Sequence, residues 1–117
     1  MRYTFFLILF CSGLTVNAQQ KSPVTLIIST PNAMCAQCKA RIEAYLKVEE
    51  GIVKVTVSPQ SKSTQVLYLA DRTNPENIRI AIANIGYDAD EEKANEDSYK
   101  ALPKICKKPE DGGHKKN

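Results

Sequence analysis

Between Val24 and Asp90 the apolar residues switch twice from alternating positions to helical spacing and back. That switching constrains the fold more than any other feature of the chain. "VTLIIS" (Val24–Ser29) is rich in β-branched residues and reads as a strand. Pro31 and Asn32 break it. From Cys38 the spacing turns helical: Cys38, Ile42, Tyr45 and Leu46 share one face, with Lys39, Arg41, Glu43 and Lys47 elsewhere. Gly51 stands where a helix C-terminal glycine belongs. "IVKVTVS" (Ile52–Ser58) alternates, with Val53, Val55 and Val57 on one face. "PQSK" is a turn, and "STQVLYLA" (Ser63–Ala70) completes a hairpin. A second helix opens with Asn74 as cap, Pro75 at the first helical position and Glu76 in the first turn. Ile78, Ala81, Ile82 and Ile85 form its buried stripe, and Gly86 ends it. "YDA" is a short final strand.

Strand, helix, strand, strand, helix, strand is the ferredoxin-like order, βαββαβ, in the α+β class. It predicts a four-stranded antiparallel sheet with two helices on one face, over residues 24–90. The flanks differ. "MRYTFFLILFCSGLTVNA" has a basic start, a short apolar run and small residues before a cut after Ala18, which is the pattern of a secretory signal peptide over residues 1–18. Phe10 before Cys11 argues against a lipoprotein. The expected location is outside the cytoplasm, the periplasm in a Gram-negative source. Residues 19–23 are a polar lead-in. Residues 91–117 form a C-terminal extension: a short helix anchored by Tyr99 and Leu102, then a mobile basic tail. His114 reads as a lone tail histidine.

The formal net charge of +3 comes without a basic stripe or interleaved aromatics, so no nucleic-acid partner is expected. Without the signal peptide, three cysteines remain: Cys35, Cys38 and Cys106. An odd number in an oxidising compartment suggests that thiols are kept for a purpose. Cys35-x-x-Cys38 at a helix start admits three uses: metal capture, thiol–disulfide exchange, or a structural disulfide. Free N–H groups and the helix dipole there favour thiolate. Two soft sulfurs suit Cu(I) or Hg(II), and suit Zn(II) or Cd(II) less well. A closed structural zinc site takes four ligands. The alternative function is a periplasmic thiol–disulfide oxidoreductase using the same pair. Against it, Met34 precedes the pair and Ala36-Gln37 separates it, where thioredoxin-like sites carry an aromatic and Gly-Pro. A disulfide across so short a loop contributes little chain entropy. No nucleophile–base set, phosphate loop or carboxylate pair is visible, so catalysis is not expected.

"MCAQCKARIEAYLKVEEGIVKVTVS" followed by "VLYLADRTNPENIRIAIANIGYDA" resembles the heavy-metal-associated domain family. That family includes bacterial copper chaperones, the periplasmic mercury-binding protein and N-terminal domains of metal-pumping P-type ATPases. The resemblance implies that Cys35 and Cys38 are metal ligands and that Tyr87 lies near their loop. It implies a metal-transporting membrane protein or P-type ATPase as partner. The family usually has methionine two residues before the first cysteine; here that position is Ala33, and Met34 follows it, either packed differently or pointing outward near the metal. Secreted members can end in a segment similar to "YKALPKICKK", which makes Cys106 the candidate third ligand. Otherwise Cys106 is a free tail thiol or the link of a metal- or disulfide-bridged dimer. Lys39, beside Cys38, either favours thiolate or is a solvated helix-face lysine.

Overall fold

A computed structural model of the chain describes residue 13 and residues 22–113. Gly13 apart, the expected signal peptide with Cys11 lies outside the described residues, and so does His114. The elements are β1 (Val24–Ser29), α1 (Ala36–Leu46), β2 (Ile52–Ser58), β3 (Ser63–Tyr68), α2 (Pro75–Asn84) and α3 (Glu96–Lys100). Two 3-10 turns follow, Lys104–Cys106 and Pro109–Asp111. The strands pair antiparallel in the order β1-β3-β2. Ile28, Val57 and Val66 on the sheet meet Ile42 and Leu46 of α1 and Ile78 and Ile82 of α2 in one apolar core. Each such aliphatic side chain stabilises by about 1.5–3 kcal/mol when fully buried.

Polar groups secure the edges. Val57 on edge strand β2 donates its N–H to Glu43 Oε1 at 3.0 Å, and its carbonyl accepts from Lys39 Nζ at 2.8 Å. Lys39 and Glu43 also pair with each other at 3.1 Å. Two side chains of α1 thus occupy strand groups that would otherwise invite another chain. Lys39 is therefore a clasp between α1 and β2. Gly51 has φ +81°, and a Cβ there would come within 2.9 Å of Arg72 and Thr73 side-chain carbons. Glycine alone fits that turn.

Several details depart from expectation. The fourth strand does not form among the described residues, leaving a three-stranded sheet. Residues 87–90 run beside β1, where Asp90 N–H donates to the Ser29 carbonyl at 2.9 Å. The reciprocal partner is a side chain: Ser29 N–H donates to Asp90 Oδ1 at 2.7 Å. Asp90 has φ +51°, so the backbone turns away where a ladder would continue. In β2 the register shifts between Ile52 and Lys54, and Val53 is left 51% exposed. This β-bulge separates Val53 from the face of Val55 and Val57. Tyr45 is likewise 41% exposed, so the buried stripe of α1 is Cys38, Ile42 and Leu46.

The extension folds back onto this body. Asn95 N–H donates to the Ala83 carbonyl at 2.9 Å, and Leu102 is buried. Gly86 (φ +104°) makes the docking fit, because a Cβ there would stand 3.0 Å from the Ser98 and Tyr99 backbone. Residues 104–113, whose composition reads as a mobile tail, are turns packed against the body. Among the described residues no helix is long and apolar enough to cross a membrane.

Candidate metal centre

The loop from β1 to α1 is built from below. Thr30 is buried and its Oγ1 lies 2.8 Å from Thr64 Oγ1, which satisfies both hydroxyls. Ala33 is fully buried and donates its N–H to the Thr30 carbonyl at 3.1 Å. The small residue fills the space beneath the loop, and the half-buried Met34 stays outside the apolar core. Asn32 Nδ2 donates to Asp88 Oδ2 at 2.9 Å, tying the loop to the segment after α2.

Cys35 is the N-cap of α1, and Cys38 lies in the first turn, fully buried. Their sulfurs are 3.2 Å apart, both as free thiols. The turn Lys104–Cys106 brings in Cys106, which is 1% exposed. The three sulfurs all lie within 4.8 Å of one another. The geometry therefore unites the helix-start pair with a thiol far along the chain.

Their protonation is uneven. Burial works against a Cys35 thiolate, but the Cys38 N–H and thiol, the Gln37 N–H and the Cys106 thiol together outweigh it and lower its pKa. Cys38 is pushed up to about 12, by burial first and then by the Cys106 and Cys35 thiols. The resting arrangement is one sulfur inclined to carry charge and a buried neighbour that keeps its proton. A soft cation compensates the charge that burial otherwise forbids.

Tyr87 is fully buried, and its hydroxyl is without a hydrogen-bond partner among the described residues. Burial and the neighbouring Cys106 and Cys38 thiols push its ionisation well above the usual range. It therefore stays a neutral phenol beside the sulfurs. A buried hydroxyl left unsatisfied is uncommon and costs about 1–3 kcal/mol.

The polar framework around the extension had no clear signal in the sequence. Lys108 N–H donates to the Tyr99 hydroxyl at 2.9 Å, and that hydroxyl donates to Asp111 Oδ2. Lys108 Nζ reaches Asp88 at 3.6 Å and sits 5.7 Å from the Tyr99 ring centroid. Tyr99 reads from sequence as an apolar anchor; its hydroxyl is an equal part of its role.

Residues 27–88, more than half of the chain, match the heavy-metal-associated domain. The human copper-transporting ATPase 2 is 32% identical over 73 residues, which is 62% of this chain and 5% of that protein. The chain spans between 5% and 10% of the length of the curated relatives it matches. Among solved structures, oxidised MerP from Ralstonia metallidurans CH34 is similar with a TM-score of 0.55 and 24% identity, covering 58% of this chain and 94% of that one. The CopZ metallochaperone is similar with a TM-score of 0.54 and 23% identity, covering 56% and 98%. At these identities the likeness is one of fold, and it supports the ferredoxin-like α+β assignment.

Proposed function

This chain belongs to the heavy-metal-associated domain family, and from that premise we propose that it is a non-catalytic carrier of a soft metal ion. Cys35 and Cys38 capture the cation, and Cys106 completes a three-sulfur set. The observation that carries this reading is the gathering of three free thiols within 4.8 Å of one another. Three thiolates suit Cu(I) and Hg(II), which accept low coordination with soft ligands. Zn(II) and Cd(II) rank below them, because a closed zinc site takes a fourth ligand. Cys35, the most accessible of the three, meets the incoming ion. Thiolate is the form that binds metal, so protons leave the sulfurs as the ion settles. Tyr87 stands beside the sulfurs as a neutral neighbour, and the half-buried Met34 belongs to the loop that carries Cys35.

The cation then passes by thiol exchange to a metal-transporting membrane protein, for which the copper-transporting ATPase relative is the guide. Residues 1–18 direct the chain out of the cytoplasm, residues 24–90 form the metal-binding domain, and residues 91–117 supply the third sulfur.

Anaerobic titration of the reduced chain without residues 1–18 with Cu(I), Hg(II) and Zn(II), against a competing chelator, tests this reading. The expected result is tight one-to-one binding of Cu(I) and Hg(II), abolished in the Cys35→Ser/Cys38→Ser variant and weakened in Cys106→Ser. Absence of tight binding, together with reduction of insulin disulfides, would transfer the function to thiol–disulfide exchange.

A further inference from the structure

The extension is fastened to the body in two unequal ways. Residues 94–102 are docked by backbone bonds and by apolar burial. Ala94 N–H donates to Asp88 Oδ1 at 2.9 Å, Asn95 N–H to the Ala83 carbonyl, and Leu102 is buried. Residues 103–113 are fastened mainly by polar links. The Tyr99 hydroxyl holds the Lys108 N–H and the Asp111 carboxylate, and Lys108 Nζ reaches Asp88 at 3.6 Å. Such half-exposed links are individually weak. Their apolar payload is Cys106 itself, since Ile105 beside it is exposed. Pro103 separates the two parts with an extended backbone, ψ 146°.

Cys38 and Cys106 are fully buried, and only Cys35 is partly open. An acceptor thiol therefore has little access to a cation held among the three sulfurs. We propose that residues 103–113 are a latch over the centre, that the Tyr99 hydroxyl is its fastener and the positioning residue for Cys106, and that release to an acceptor requires the latch to lift. The proposal rests on the metal-carrier reading above and adds a control to it. In the step, an acceptor thiol gives up its proton and forms a metal–sulfur bond. The Cys106–metal bond breaks, and the Cys106 sulfur takes a proton. The metal keeps its oxidation state. With the latch closed, the ion is sheltered from stray thiols.

Tyr99→Phe keeps the ring and removes the fastener; Asp111→Asn weakens it from the other side. Two readouts test the latch on the reduced chain without residues 1–18. The first is iodoacetamide modification of Cys106 in the metal-free protein, followed by peptide mass spectrometry. The second is the rate at which the Hg(II)-loaded protein loses its ion to excess glutathione. Both rates should rise about tenfold in Tyr99→Phe, which loses both hydrogen bonds of the hydroxyl and shifts the opening equilibrium accordingly. The Hg(II) stoichiometry and far-ultraviolet circular dichroism should stay unchanged. Cys106→Ser should exchange at least as fast as Tyr99→Phe. Equal Cys106 modification in wild type, Tyr99→Phe and Asp111→Asn would overturn the latch, whether or not metal binds. So would unchanged exchange in all three variants. Failure of wild type to bind Hg(II) would instead overturn the carrier reading, and the alkylation readout would still judge the latch.

Discussion

Helices α1 and α2 begin with almost the same backbone and opposite chemistry. The N-cap dihedrals are φ −143°, ψ 168° at Cys35 and φ −147°, ψ 166° at Asn74. Asn74 uses its side chain to accept the Asn77 N–H at 2.9 Å, and Glu76 places a negative charge in the first turn. Cys35 makes no side-chain cap bond, and the first turn of α1 holds no acidic residue. One helix start is completed for stability. The other leaves its free N–H groups and the positive end of its dipole beside the Cys35 sulfur, where they favour thiolate. The Tyr87 hydroxyl, without a hydrogen-bond partner among the described residues, belongs to the same pattern.

Substitutions separate these two kinds of position. Tyr87→Phe should raise the unfolding free energy by about 1–2 kcal/mol in urea denaturation, because it removes a buried hydroxyl that has no partner among the described residues. A clear loss would mean the hydroxyl is satisfied in solution. Asn74→Ala should lower stability by about 1 kcal/mol by emptying a working cap. Cys35→Asn should do the reverse at α1, raising apo stability by about 0.5 kcal/mol while abolishing metal capture. If Cys35→Asn destabilised the protein, the contrast between the two helix starts would collapse.

The smallest effect concerns Asp88. Burial raises its pKa, but the Ala94 N–H, Lys108 and the Asn32 amide outweigh it and lower the value. A lowered carboxylate pKa stabilises the fold above the ordinary carboxylate range. That contribution is lost as pH falls through the lowered value. In an NMR titration from pH 6 to about pH 2, the Ala94 amide should shift below about pH 4, and Asp88→Asn should remove the shift.

Much of the body was legible because its signals are local. Asn74, Pro75 and Gly86 mark α2 within a few residues, and the cysteine pair sits at a helix start by spacing alone. The Val53 bulge was not legible, because Ile52 and Val53 are both apolar and alternation fits either register. Nor was the missing fourth strand, where Asp90 replaces a backbone acceptor with its own carboxylate. The seating of Cys106 depends on pairs distant in sequence, Lys108 with Asp88 and Tyr99 with Asp111, whose residue types look like ordinary solvated charges. Resemblance to secreted family members nominated Cys106; the folded extension gives it a place beside the other two sulfurs.

The central claim is that three sulfurs from two distant segments hold one cation. X-ray absorption at the metal edge of the Hg(II)- or Cu(I)-loaded protein tests it most directly, with Cys106→Ser measured alongside. The account predicts three sulfur neighbours in the wild-type protein and two in Cys106→Ser. Two sulfurs in both proteins would contradict it and reduce the extension to a cover over a two-cysteine site.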